Sequence, residues 1–480
     1  MKTLNIIAAS AAALLMMGAV SCEREMPEEI TELVLPKCLT PTSLSTVIEN
    51  DFDVLFDWKT MKDADSYNLV VATDAECTQI IESVTVPKSQ VPYKLTLEPG
   101  TYYYKVQASA EDRDPSKWVY CTKSVTVKKP VVTVDISLAG TANCYIVSEE
   151  GKYKFKTTKG ATEESVGEVA SVAVVWETSV ETTGKALDVK SIVDQVKLLE
   201  GGYIEFTTAT PFKAGNALLA AKDGSGKILW SWHIWVVSEP VADVDLGNGI
   251  VLMDRNIGEL TTMADGATSM LYQWGRKDPF PGTNGNKGVL SVAGTEITYL
   301  STTKSVSDAA ATPTVLYGVL STSSAGAQPY GLKDGDTDFW GKTKTMYDPC
   351  PVGYKVPIAS SSAPTANDLS TTRFAFLSAM TFADCFLYTA DNGNVLKVRP
   401  AGFRWLNTDT AHYSEAALQV RNEGNSCMLW TASRVNKRLA GTVRLAKDGG
   451  VSFYAKGGDN AATYHGKNNA YAIRCEKVTE

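Results

Sequence analysis

Short stretches in which apolar and polar residues alternate, broken by turn residues, recur along most of this chain. Phe52-Asp53-Val54-Leu55-Phe56-Asp57-Trp58 alternates, and so does Thr101-Tyr102-Tyr103-Tyr104-Lys105-Val106-Gln107-Ala108. Successive side chains on a strand point to opposite faces, so alternation of this kind buries one face of a sheet. Runs rich in aromatic and β-branched residues, set about ten to twenty residues apart, indicate β-sandwiches. The chain therefore reads as mainly β. Its 480 residues suggest about three domains, at roughly 150 residues each. A hydrophobic fraction of 44% and a charged fraction of 21% argue against disorder, collagen and a polytopic membrane protein.

The N-terminus reads as an address. Met1-Lys2 brings one positive charge, and residues 5–20 form a run too short and alanine-rich for a membrane span. The run ends in Ala19-Val20-Ser21-Cys22, which resembles the lipobox of bacterial lipoproteins. That resemblance implies a signal peptide over 1–21 and lipidation of Cys22, whose acyl chains would anchor the protein to a membrane. An ordinary secretory signal with an incidental cysteine is the alternative. Glu23, Glu25, Glu28 and Glu29 make 22–32 an acidic tether. Such a tract resembles the surface-export signal of Bacteroidetes lipoproteins and implies an outer-membrane, surface-exposed location.

Residues 33–128 carry an early F-x-W strand, the Ser66-Tyr67-Asn68-Leu69 strand and Leu97-Glu98-Pro99-Gly100-Thr101-Tyr102. They resemble a fibronectin type III domain. Residues 129–241 read as a second sandwich, with strands near 141–147, 172–176, 203–206, 217–221 and 228–236 and a short helix near 188–199. In the last strand Trp230, Trp232 and Ile234 share one face, and Ser231, His233 and Trp235 the other. The Trp pair is a candidate sugar platform, with core packing as the competing reading. His233 reads as a hydrogen-bonded strand residue.

Residues 242–480 are less regular. Their landmarks are Asp254-Arg255-Asn256-Ile257-Gly258, Tyr272-Gln273-Trp274-Gly275-Arg276, Cys350-Pro351-Val352-Gly353-Tyr354-Lys355-Val356-Pro357 and Arg474-Cys475. Together they resemble the Fibrobacter succinogenes major paralogous domain, a relative of C-type lectins and of formylglycine-generating enzymes. The resemblance implies an α+β C-type lectin-like domain with two short helices, for which 302–311 and 368–379 are the candidates. It also implies a Cys350–Cys475 disulfide, since both residues sit in family motifs.

Catalytic patterns are scarce. The three histidines, His233, His412 and His465, lie far apart, and none of the nine cysteines forms C-x-x-C, which speaks against zinc and thioredoxin-type chemistry. Gly341-Lys342-Thr343 lacks the first glycine of a phosphate loop, because Asp336 stands there. Asp334, Asp336 and Asp338 alternate as in a calcium loop, but Phe339 and Thr345 occupy positions that an EF-hand gives to Gly and Glu. A looser calcium site remains a candidate, the polar turn its alternative, and no other cofactor is implied. Cys385 and Cys427 are either a further disulfide or the thiol pair of an oxidase. Cys38, Cys77, Cys121 and Cys144 allow several pairings. With 46 basic against 54 acidic residues and a net charge of -8, the chain has no surplus for nucleic acid. Trp340, Trp405 and Arg404, with Asp336 and Asp338, are the candidate ligand contacts, because aromatic faces stack on sugars and charged groups bond hydroxyls. The reading is a non-enzymatic, lipid-anchored surface protein that binds extracellular glycan or protein. An accessory or tip subunit of a fimbria is the alternative, with an oxidase or glycoside hydrolase behind it.

Overall fold

The computed structural model describes residues 35–130, 132–180, 187–262, 269–282, 291–302, 304–318, 339–359, 369–405, 419–434, 440–448, 450–454 and 466–479. Cys22 and its tether lie outside the described residues, as do Asp334, Asp336, Asp338, His412 and His465. The chain is mainly β and divides into two compact units between Pro130 and Val131.

In the first unit the strands are Thr42–Glu49 (β1), Asp53–Lys59 (β2), Ser66–Ala72 (β3), Ile80–Pro87 (β4), Tyr93–Thr96 (β5), Gly100–Ser109 (β6), Val119–Tyr120 (β7) and Val125–Val127 (β8). One antiparallel sheet runs β1-β2-β5, the other β4-β3-β6-β7 with β8 also on β6. Val54, Phe56 and Trp58 point inward from β2, and Tyr102, Tyr104, Val106 and Ala108 from β6. The rings interlock edge to face: Phe56 lies 5.0 Å from Tyr104, and Trp58 5.3 Å from Tyr67. Tyr102 Oη donates to Glu98 O at 2.8 Å, which pins the entry to β6 as a tyrosine corner.

The second unit opens with Thr133–Asp135 (β9), Cys144–Val147 (β10), Lys152–Lys156 (β11), Ser171–Ser179 (β12), Val193–Leu199 (β13), Tyr203–Thr208 (β14), Gly215–Lys222 (β15) and Ile228–Val236 (β16). It continues with Asp243–Asp245 (β17), Val251–Met253 (β18), Met270–Gln273 (β19), Phe280–Pro281 (β20) and Ser291–Gly294 (β21). A five-stranded sheet, β10-β16-β15-β12-β21, packs on a four-stranded one, β13-β14-β11-β9. Trp232 fills the space between them, 5.4 Å from Phe155.

The other face of the five-stranded sheet is buried too. Trp176, Leu218, Ala220 and Trp235 share one core with Met253, Ile257, Trp274, Trp340, Trp430 and Ile473. A strand covered on both faces reads as a continuous apolar run, and β15 does so in Ala217-Leu218-Leu219-Ala220-Ala221, each residue fully buried. The fifth strand itself comes from beyond residue 242, where β21 pairs Trp176 with Gly294 and Ser179 with Ser291. The boundary expected at 241/242 is thus not a boundary in the packing. A shared core and a shared sheet run across it.

The helix expected over 188–199 is corrected: residues 188–192 form loop and turn, and Val193–Leu199 form the strand β13. The register of β13 on β14 slips between Asp194 and Lys197, and Gln195 has a φ of 47°. A bulge adds one residue to the strand. Val193 and Val196 therefore keep a helix-like spacing within a sheet. Of the two candidate helices, the first is the short α1, Val306–Ala309, started by Ser305 Oγ accepting from Asp308 N at 3.0 Å and followed closely by Pro313. The second is two 3-10 turns, Leu369–Thr371 and Ala375–Ala379. The remaining strands include the hairpin Ser426–Arg434 with Ala440–Ala446, and the short Ala470–Tyr471 that pairs with β19.

Candidate functional site

The four sequence landmarks form a buried scaffold. Arg255 Nε and Nη2 grip the Asp254 carboxylate at 2.9 Å each. Arg474 donates through Nε to Asn256 Oδ1 at 2.8 Å, through Nη1 to Met253 O at 3.0 Å and through Nη2 to Lys397 O at 2.8 Å. Arg276 spans Val315 O at 2.6 Å, and Ala309 O and Thr312 O at 3.2 Å. Asp348 accepts from Cys350 N at 2.8 Å and Val356 N at 2.9 Å. Cys350 and Cys475 form a disulfide with Cα atoms 5.9 Å apart. The motif glycines follow from the same packing. Gly258 has a φ of 84° and leaves only 2.3 Å between an added Cβ and Met270 Cγ. Arg255, Arg276, Asp348 and Arg474 are 1–2% exposed, and each hydrogen-bonds within its own chain. They hold the fold and offer nothing to a ligand.

Two of the candidate ligand contacts are corrected for the same reason. Trp340 is 1% exposed, donates Nε1–H to Tyr347 O at 3.0 Å and packs its ring 5.7 Å from Trp274. Arg404 is 4% exposed and donates to Pro281 O at 2.7 Å, and burial holds its pKa down to about 10. Trp405 is half-buried, with Arg421 over its ring at 5.6 Å. Asp336 and Asp338, and with them the calcium loop, lie outside the described residues. Among the described residues no group of three or more His, Cys, Asp and Glu is placed to hold a metal. Cys385 and Cys427 are not joined, so the expected second disulfide is absent from the described residues. Burial raises the Cys385 thiol and pushes Cys427 up to about 12.

The fold also assembles a set that sequence reading missed. Cys144 Sγ lies 3.4 Å from His233 Nδ1, and His233 Nε2 lies 2.8 Å from Asn216 Oδ1. A thiol, an imidazole and an amide in that order are the parts of a nucleophilic triad. Here all three are at most 1% exposed on the central sheet. Burial drives the Cys144 pKa up and the His233 pKa down to about 3, so both groups stay neutral. The nucleophile would be the thiolate, and no substrate reaches it. The set is a polar knot inside the core, which agrees with the hydrogen-bonded reading of His233.

The described residues of the second unit line an open cleft of about 390 Å³. Lys159, Lys227, Trp230, Lys304, Asp308 and Tyr347 line it. Lys227 precedes β16, Lys159 follows β11, and Lys304 and Asp308 flank the start of α1. The half-buried Tyr347 ring meets the buried Trp230 ring, 3% exposed, at 5.8 Å, and Tyr347 gives the aromatic floor its accessible face. Beneath it the Lys277 ammonium sits 4.5 Å over the Trp230 ring and donates to Ser231 O at 3.0 Å, with Asp278 as its counter-charge. That buried pair fixes the floor. Volumes of about 300–1,000 Å³ suit small ligands. A smaller cavity, about 20 Å³ among Leu252, Phe374 and Val443, holds no more than a water. The cleft residues come from four distant stretches, so no local motif could have signalled them.

No family model matches this chain, and no curated protein matches it. Solved structures do. A structure titled FN3tt mut is 23% identical, with 20% of this chain and 99% of that one covered and a TM-score of 0.16. The two-domain fibronectin type III segment of chicken tenascin is 13% identical, with 41% and 99% covered and a TM-score of 0.18. The fn3 domain of human contactin 1 is 17% identical, with 20% and 87% covered and a TM-score of 0.16. Residues 42–127 have a fibronectin type III-like fold. That statement rests on their strand order and tyrosine corner rather than on these likenesses.

Proposed function

We propose that the chain is a non-enzymatic, lipid-anchored protein of the bacterial outer surface that binds an extracellular glycan or protein. Its fibronectin type III-like unit acts as a spacer. The second unit, in which a C-type lectin-like region is fused to the strands before it, carries the ligand. The open cleft is the observation that carries this reading. It combines the half-buried Tyr347 ring with amines and a carboxylate, which suits stacking on a sugar ring and bonding to hydroxyls. The buried Cys144–His233–Asn216 knot supports binding over turnover, because its groups are neutral and enclosed.

The test is a glycan and protein array probed with the full chain, beside Tyr347→Ala and Lys227→Ala. Binding that both substitutions abolish is the expected result. Binding that neither changes, or turnover of a bound ligand, overturns the reading. The anchor is tested separately: Cys22→Ala is expected to release the protein from the membrane fraction, and retention would contradict lipidation.

A further inference from the structure

The charges around the open cleft are uneven, and they narrow what it can hold. Its lining brings three lysines, Lys159, Lys227 and Lys304, against one acid, Asp308. The chain as a whole carries a net charge of -8, so the cleft reverses the general sign. Lys159 is answered by Glu164, which pairs with its ammonium. Lys227 and Lys304 are exposed, and neither forms an ion pair among the described residues. Asp223, close to Lys227 in sequence, gives its carboxylate to Ser225 Oγ at 2.6 Å and to the Lys227 backbone N–H at 3.0 Å. Asp278 adds no surplus from beneath the floor, because Lys277 pairs with it and Arg276 lies 3.6 Å away.

The walls are fixed before a ligand arrives. Tyr347 packs between Trp230 and Phe339, whose ring lies 5.4 Å away. Trp230 donates Nε1–H to Asn143 Oδ1 at 2.9 Å, and Asn143 Nδ2 donates to Met346 O at 2.7 Å. Gly160, next to Lys159, has a φ of 54° and lies so close to Met346 that an added Cβ would meet its O at 2.2 Å. The loop that carries Lys159 and the segment that carries Tyr347 are thus locked together. A preorganised site loses less affinity to the ordering of its side chains.

Ammonium groups at a concave site raise the local concentration of anions. Asp308, exposed beside them, accepts from hydroxyls, which a simple carboxylate or phosphate ion does not carry in a ring. The accessible face of Tyr347 suits a flat ring. We propose that the ligand of the cleft is an acidic saccharide, a sugar bearing a carboxylate or a sulfate, with Lys227 and Lys304 as its countercharge, Asp308 on its hydroxyls and Tyr347 against a ring face. This rests on the binding role proposed for the cleft and adds the charge and class of the ligand. The hydroxyl acceptor and the ring favour a sugar over an acidic peptide.

Calorimetric titration of the full chain tests this with an oligogalacturonate, its neutral methyl ester and a sulfated galactan oligosaccharide. One of the two acids is expected to bind at least roughly tenfold more tightly than the ester, and which one does so separates carboxylate from sulfate. That binding is expected to weaken as salt rises. Lys227→Gln combined with Lys304→Gln is expected to remove the preference and leave the affinity for the ester as it was. Both residues are exposed, so the substitutions leave the core intact. An ester that binds as tightly as the acids, and whose binding Tyr347→Ala abolishes, overturns the acidic class and leaves the binding role of the cleft standing. A glutamate-rich peptide that binds where no saccharide does has the same meaning. Acid binding that the lysine substitutions and Tyr347→Ala all leave unchanged overturns both, and binding of none of the probes overturns the proposal.

Discussion

The two units bury their side chains by different rules. In the first, Ser116 is the only polar residue buried among the described ones, and the core is Val54, Phe56, Trp58, Tyr67, Tyr104 and their neighbours. In the second, Arg255, Glu259, Arg276, Lys277, Asp278, Asp348, Lys467 and Arg474 lie within the interior. The first is a sandwich that alternation alone specifies. The second has long irregular connections whose backbone carbonyls need partners, and buried arginines supply them. A core of this kind is specified by particular hydrogen bonds, so single polar substitutions should cost it more than they cost the sandwich.

The largest effect should come from Arg474→Met. It leaves Asn256 Oδ1, Met253 O and Lys397 O without their donor, and urea unfolding is expected to show a loss of about 3–5 kcal/mol. Cys350→Ala opens a bridge that spans a sequence separation of 125 residues. It is expected to cost about 2–4 kcal/mol by the same assay. A loss below that would mean the scaffold holds the two segments without the bond.

Lys467→Met should act in the opposite sense. At pH 6 it is expected to stabilise by about 1–3 kcal/mol, because it removes a buried Nζ that finds no hydrogen-bond acceptor among the described residues. The pH dependence follows from the sign of the shift. The folded pKa is about 7 against an ordinary 10.5. Between those values the unfolded chain holds a proton that the native chain does not, so stability rises with pH across that window. The substitution should flatten that rise, and an unchanged rise would remove the depressed lysine from the account. Tyr102→Phe in the first unit is the smallest change. It deletes one hydrogen bond to Glu98 O, and the expected loss is about 1 kcal/mol.

The same contrast decides what could be read from the sequence. The first unit was legible because Val54, Phe56 and Trp58 recur at every second position, and all three face one core. The landmarks of the second unit were legible as landmarks, and Cys350 and Cys475 sit where the resemblance implies. The fusion across residue 242 was not legible. Trp176 and Trp235 look like core residues of a sandwich whether they face its inside or a further layer. Trp340 stands among polar loop residues, and only the fold reveals that its Nε1–H is spent on Tyr347 O. The cleft escaped because residues 159, 227, 304 and 347 meet only in three dimensions.

The central claim is that residues 131–480 are one cooperative unit, with no domain boundary at 242. Hydrogen exchange on the full chain carrying Trp176→Ala tests it most directly. Trp176 lies on β12 and faces the shared core. The expected result is faster exchange in β15 and β16 and, to the same degree, in β19 and Ser426–Arg434, because one opening exposes them all. Acceleration confined to residues 131–241, with β19 and Ser426–Arg434 protected as before, would contradict it.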